Sequence, residues 1–293
     1  MSDVQKSPRA RLRGALAAAA LPPALRQTWA TPPPDPTSGQ LWRARWGAVT
    51  QLLLVLESAA QSVRAAPVTS DPDMADDSAG ILAEGASDLS IPLVVWLDDA
   101  ASVPLRVLDR FVGALAEQHR RVQDVPRGRP IVSDVDERAV QRARGQDAMD
   151  VFVSARWAPE GTGTLKEILG KADRSRLSAV LALPDRQVIA LLRGRKGVTP
   201  DQAERLAPVV GESAEVLLAS NPPLPEDLVA DLDLPVYRAM VNALAKRRGL
   251  EEIEAWRFAG YAVAGVANRQ TEGPALSWRE QLDRYFEAVL DDS

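Results

Sequence analysis

The stretch Leu177–Gly211, LSAVLALPDRQVIALLRGRKGVTPDQAERLAPVVG, decides how the rest of this chain is read. Asp173 just before it suits a helix N-cap, and Leu177, Ala179, Val180 and Leu181 continue with helical spacing until Ala182-Leu183-Pro184 breaks the period. A second helix starts at once, with Pro184 in its first turn, Val188, Leu191 and Leu192 inward, and Gly194 as a C-cap. Thr199-Pro200 opens a third, carrying Ala203, Leu206 and Val209/Val210 to a stop at Gly211. Extended outward, Thr164 to Glu215 reads as four or five short helices.

Two helices of about seven to nine residues joined by a turn of three or four form a helix-turn-helix, whose second helix lies in the DNA major groove. Charge agrees. From Thr164 to Pro200, eight basic residues face three acidic ones in a chain whose net charge is −5. A basic patch in an acidic protein suits phosphate contact, and a solvated charged face is the alternative. Asp185, Arg186 and Gln187 fall in the first turn of the second helix, where side chains read bases; Arg174, Arg176, Arg193, Arg195 and Lys196 flank it, where they meet phosphates.

This run resembles the Cro/CI-type, or Xre, helix-turn-helix regulators over roughly fifty residues. It departs from the family pattern at Ser178, usually Ala, at Ala182, usually the turn Gly, and at Arg174, where Gln is common. The resemblance implies a five-helix DNA-binding domain, double-stranded DNA as partner and a homodimer, since one reading helix contacts too few bases. A small-molecule or protein effector is a further expected partner, and no cofactor is expected.

Upstream, the pattern turns to short strands: Gln40–Arg45, Gln51–Leu56, Ser62–Thr69, Gly80–Ala83 and Ile91–Leu97, followed by an amphipathic helix over Arg106–His119. The order of GQLWRARWG, TQLLLVLES and RAAPVTSDPD looks like the SH3-like barrel of the MazF/PemK toxin ribonucleases. That resemblance implies a site with Thr69 and Ser70 in the Pro-x-Thr-Ser segment. The Arg that precedes the second strand in that family is missing, so a cation has to come from Arg43 or Arg45. Cleaving RNA through its 2′-hydroxyl needs an acid, a base and that cation. The expectation is a silent barrel for dimerisation or sensing, hence no enzyme; the alternative is a toxin-antitoxin fusion with an endoribonuclease barrel.

Composition narrows the classes. The chain contains 293 residues, no cysteine and a single histidine, His119, which excludes thiolate sites, disulfides and histidine-rich metal centres. The acidic groups Asp71/Asp73/Asp76/Asp77, Asp98/Asp99 and Asp134/Asp136/Glu137 lack EF-hand spacing and read as strand-end loops, so no metal is expected. Arg9, Arg11 and Arg13 before Ala15–Leu21 mimic a signal peptide in miniature, but the apolar part ends at Pro22-Pro23. No apolar run approaches the length of a membrane span, and a cytoplasmic location is expected.

The expected architecture is α+β and multidomain: an N-terminal arm and Pro-rich linker over 1–37 with Trp29 as an anchor, a small β-barrel over 38–122, and a hinge over 123–161 holding a helix from Asp136 to Arg144. The helix-turn-helix domain follows over 162–220, then a C-terminal helical domain over 221–293 that opens on the linker Asn221-Pro-Pro-Leu-Pro225. The last region is acidic, and its aromatic stripes read as core or dimer contacts.

Overall fold

The computed structural model describes residues 33–76, 78–89, 91–116, 135–159, 161–267 and 276–291. The expected arm with Trp29, the acidic residues Asp77 and Asp134, and His119 lie outside them. The chain is α+β, with seven strands and ten α-helices among the described residues. It divides into two compact units, one from Val49–Val103 and Leu108–Asp150 with the chain up to Arg45, the other from Trp46–Ala48, Pro104–Val107 and Val151–Ser293.

The first unit is a sheet of strands β1 (Gln40–Trp46), β2 (Val49–Ser58), β3 (Ser62–Thr69), β4 (Gly80–Leu82), β5 (Leu93–Val95), β6 (Ala101–Pro104) and β7 (Leu108–Ala114). Their order is β4-β5-β3-β2-β1-β7, with β6 also on β3. The Leu/Val run of β2 pairs antiparallel with β3 from Leu52↔Val68 to Ser58↔Val63, with a bulge between Val55 and Glu57. Leu41, Leu54, Ala66, Val68, Leu82 and Leu93 form the core on one face. Just beyond β4, Asp88 N donates to Ala114 O at 3.0 Å and Ala116 N to Ala86 O at 2.9 Å, so this segment meets the far end of the path, at β7.

The amphipathic helix expected over Arg106–His119 is instead a 3-10 turn, Leu105–Val107, followed by strand β7. Pairing overrides the helical period: Leu41↔Gly113 and Trp42↔Phe111 are register partners, and the Trp42 and Phe111 rings meet edge to face at 5.7 Å. A Cβ on Gly113 would stand 3.1 Å from the Asp88 Cβ, a tight contact that Asp88 would have to yield to.

The helix expected over Asp136–Arg144 runs on to α1 (Val135–Val153). Gly145, Ala148, Met149 and Phe152 are its buried positions among the described residues. Arg142 ties it down: Nε and Nη2 donate to both oxygens of Asp99 at 2.9 and 2.8 Å, and Nη1 to Asp76 and Ser78 at 3.1 and 2.8 Å. Two of the acidic loops thus converge on one guanidinium in a bidentate geometry stronger than a solvated pair.

The second unit opens with five short helices: α2 (Leu165–Leu169), α3 (Arg174–Leu181), α4 (Asp185–Leu192), α5 (Pro200–Val210) and α6 (Ala214–Ala219). The caps of α3 and α5 are the expected ones, while at α4 Pro184 is the N-cap rather than a first-turn residue and Arg193 the C-cap, with Gly194 one position beyond at φ 66°. Asp173 accepts from Arg176 N at 3.0 Å, Thr199 and Gln202 form a capping box at α5, and Gly211 closes α5 at φ 77°. Leu165, Leu177, Val188, Leu191, Leu206 and Leu217 fill a common core.

Four more helices follow: α7 (Glu226–Leu232), α8 (Pro235–Arg248), α9 (Glu252–Ala267) and α10 (Trp278–Asp291). Helix α7 was not expected, and the proline segment before it is no free spacer: Asn221 is 3% exposed and Leu224 8%, both drawn into the interior. The Trp157 and Trp256 rings stack at 5.6 Å within the core of these helices. Trp157 Nε1 donates to Asp233 at 2.6 Å, and Arg106 pairs with the same carboxylate. Arg238, fully buried, donates to Arg106 O and Glu252 and lies under the Trp46 ring at 5.8 Å. No helix of the described residues is long and apolar enough to cross a membrane.

Candidate nucleic-acid interface and the cleft beside it

Helices α3 and α4 are joined by the three residues Ala182-Leu183-Pro184, and Ala182 takes the left-handed conformation at φ 51° and ψ 37°. Among the described residues it is the one non-glycine with positive φ. The turn needs a left-handed residue there to cap α3 and redirect the chain, and glycine would adopt it without strain. Ser178 stiffens the corner by donating to Leu183 O at 2.9 Å.

The three residues expected to read bases sit together at the start of α4, in unequal circumstances. Asp185 is exposed, but its carboxylate accepts from Arg174 at 2.7 Å, which joins a base-reading candidate to a phosphate candidate. Gln187 accepts from Lys196 Nζ at 3.1 Å, a second such pairing. Arg186 is exposed and has no ion pair or side-chain hydrogen bond among the described residues, and the same holds for Arg176, Arg193 and Arg195.

Helix α4 forms one wall of a cleft of about 1090 Å³. Arg186, Gln187, Ile189, Ala190 and Arg193 line it from α4, and Arg195 and Lys196 from the loop that follows. The opposite wall carries Arg248 at the end of α8, Arg257, Phe258 and Tyr261 on α9, and Tyr285 on α10. Arg174 and Arg176, on α3, do not line it.

The cleft's electrostatics are one-sided. Six cations line it against two acids, Asp201 and Glu254. Both acids are engaged locally: Asp201 pairs with Arg205, and Glu254 accepts from Glu251 N at 3.1 Å at the start of α9. Arg257 is held by a 2.9 Å bond from Nε to Trp157 O, and Arg248 stacks over the Phe258 ring at 4.5 Å. Tyr261 donates to Pro222 O at 2.8 Å. The Tyr285 hydroxyl is buried without a hydrogen-bond partner, and burial pushes it up to about 12, so it stays a neutral donor.

Sequence reasoning missed the second wall. The signal was present: Glu254, Arg257, Phe258, Tyr261, Ala262 and Gly265 recur at the spacing of one α9 stripe, beside the core stripe of Ala255, Trp256, Ala259 and Val263. What that stripe faces is fixed by tertiary packing.

The residues named for ribonuclease chemistry are spread across the sheet. Thr69 ends β3 and pairs with Val94 on β5, with Ser70 exposed just beyond it. Arg43 and Arg45 are on β1, separated from β3 by β2, and Arg43 forms an ion pair with Asp109 on β7. One intervening strand puts β1 and β3 about 10 Å apart, so a phosphate on Thr69 is not within direct reach of the Arg43 backbone position. The chain matches no family model, no curated protein and no solved structure.

Proposed function

We propose that the chain is a sequence-specific DNA-binding transcriptional regulator of the Cro/CI type, acting in the cytoplasm as a dimer and reading an operator with α4. One observation carries the reading. Arg186, Arg193 and Arg195 stand exposed and uncommitted on α4 and its following loop, and a three-residue left-handed turn joins α4 to α3. An unbalanced row of guanidiniums at the reading position of that helix pair attracts a polyanion, and α4 has the length that a major groove accepts.

In this reading Arg186 is the principal base reader, because arginine bonds guanine O6 and N7 in bidentate fashion and this one has no competing partner. Arg193, Arg195 and Arg176 position the protein on phosphates, and Asp185 and Gln187 reach bases by exchanging Arg174 and Lys196 for them. The seven-stranded sheet is a silent SH3-like module for dimerisation or sensing. Contact between the segment after β4 and the end of β7 supports a barrel-like curl, and the commitment of Arg43 to Asp109 argues against nuclease chemistry. Dimerisation doubles the bases read, since two-fold proteins meet half-sites about one helical turn apart.

The test is duplex binding as a function of salt. Each phosphate contact contributes a slope of about −0.9 in log K against log salt, so three contacts give about −3. Absence of binding, or affinity independent of salt, overturns the reading.

A further inference from the structure

We propose that the cleft between α4 and the helices α8–α10 binds a nucleotide carrying two or more phosphates, and that the bound nucleotide competes with DNA for α4. Ligand binding is argued from the cleft alone; competition rests on the DNA reading above.

Charge makes the first argument. Both walls contribute cations, Arg186, Arg193, Arg195 and Lys196 on one side and Arg248 and Arg257 on the other, while the acids at the cleft are held by Arg205 and by the α9 backbone. Six cations around one cleft repel one another, with solvent screening part of the repulsion, and a multivalent anion that joins them relieves it. A monoanion leaves most of that charge unbalanced. A chain of phosphates reaches both walls and offers the acceptor geometry that guanidinium forks prefer.

Surface chemistry makes the second. Phe258, Tyr261 and Tyr285 give the α9–α10 wall flat apolar surface, which takes a planar ring. Arg248, stacked at 4.5 Å on Phe258, stations a cation where ring and phosphate ends meet. The Tyr285 hydroxyl is itself closed off from the cleft, so this residue offers the ligand its ring and not its oxygen. Size agrees as well. At about 1090 Å³ the cleft lies just above the roughly 300–1,000 Å³ usual for small-ligand sites, which favours an extended ligand over a compact one.

Occupancy has a regulatory consequence. Phosphates that engage Arg186 and Arg193 occupy the groups that α4 needs for DNA. By linkage, DNA weakens the nucleotide by the same factor that the nucleotide weakens DNA.

The experiment titrates the full chain with the fluorescent analogue N-methylanthraniloyl-ADP and competes it with ATP, adenosine and inorganic pyrophosphate. The expected result is a saturable signal that ATP displaces, with adenosine and pyrophosphate each at least about tenfold weaker, because each supplies half of the recognition. Arg248→Ala and Arg193→Ala, at exposed positions on opposite walls, each weaken the probe about tenfold by removing a charge-assisted contact; circular dichroism verifies that both are folded. No saturation up to about 1 mM, a site with no measurable affinity, overturns the proposal. Wild-type affinity in both variants also overturns it. Adenosine competing as well as ATP overturns the phosphate assignment, and a single-stranded oligonucleotide far outcompeting ATP replaces the nucleotide by a strand. DNA binding is measured in parallel. Probe binding without any DNA binding leaves the cleft assignment standing and removes the operator reading; salt-dependent DNA binding without probe binding does the reverse. Independent binding of both ligands removes the competition.

Discussion

The side-chain amide of Asn221 satisfies both backbone groups of Val198: Val198 N donates to Oδ1 at 2.8 Å, and Nδ2 donates to Val198 O at 3.0 Å. One residue thereby fastens the loop after α4 to the segment that leads into α7. Space around it is tight. A Cβ on Gly197 would stand 2.8 Å from the Tyr261 ring and 3.0 Å from the Asn221 side chain, and one on Gly161 would stand 1.8 Å from Asn221 O. Helix α4 and the opposite wall of the cleft are therefore set by a buried polar clamp.

Asn221→Ala removes the clamp without adding bulk to the tight site, leaving a buried amide and a buried carbonyl unsatisfied. Each costs about 1–3 kcal/mol, so a loss of about 2–6 kcal/mol is expected as a lower urea midpoint at unchanged slope. A loss below about 0.5 kcal/mol, the level of an ordinary surface change, shows that the clamp is dispensable.

Ala182 makes the opposite prediction. Its left-handed backbone costs about 1–2 kcal/mol for a residue with a Cβ, and glycine returns part of that to unfolded-chain entropy. Ala182→Gly is expected to stabilise the protein by about 1 kcal/mol, and Ala182→Val to destabilise it, since β-branching is worse at positive φ. Denaturation midpoints in the reverse order contradict the strain.

The α3-turn-α4-α5 segment was legible because its signals are local. Asp173, Thr199 and Gly211 are caps whose chemistry acts within one turn of chain, Gly194 follows the C-cap Arg193 in the left-handed conformation, and a further left-handed site fell at Ala182, in the turn where the sequence breaks its helical period. Strand β7 was not legible, because VLDRFVGA satisfies a helical period as well as an alternating one, and the choice was made by Trp42 and Gly113 across β1. The Asn221 clamp was hidden for a related reason. Asn-Pro-Pro reads as a linker unless the Val198 backbone 23 positions away is known to need a partner. The cleft lay between these cases: its α4 wall was named in advance, while Arg248, Arg257 and Tyr285 came together through packing of α8, α9 and α10.

Asp233 carries a pH prediction. Its side chain is 4% exposed, and burial pushes the carboxyl up from 3.8 to about 6, against the pull of Arg106 and the Trp157 hydrogen bond. The folded state thus holds this proton more tightly than the unfolded chain. The stability it contributes is present in full below about pH 4 and is lost as pH rises through about 6. A carboxyl-carbon titration by NMR should give a midpoint near 6 for Asp233. The stability difference between wild type and Asp233→Asn should change across that window and be flat above it. A midpoint below the ordinary carboxylate value shows that the ion pair outweighs burial.

If α4 reads DNA as proposed, its cations fail in two ways. Arg186 is uncommitted in the first turn, where a recognition helix meets base edges, so Arg186→Ala should relax preference at one base pair by about 1–3 kcal/mol. Arg193 and Arg195, past the end of α4, should act on phosphates: Arg193→Ala or Arg195→Ala should weaken all sequences alike and flatten the salt slope by about one unit each. Arg174 differs from both, because its guanidinium holds Asp185 at 2.7 Å. Removing it frees that carboxylate beside the groove, where it either repels phosphate or accepts from a cytosine amino group. Arg174→Ala should therefore lower affinity for random DNA while sharpening preference at the position Asp185 faces, and adding Asp185→Ala should abolish the sharpening. Binding-site selection on the four single variants and the Arg174/Asp185 double separates these outcomes. If Arg186→Ala weakens random and selected DNA equally, or Arg195→Ala changes the selected sequence, α4 does not enter the groove by its first turn.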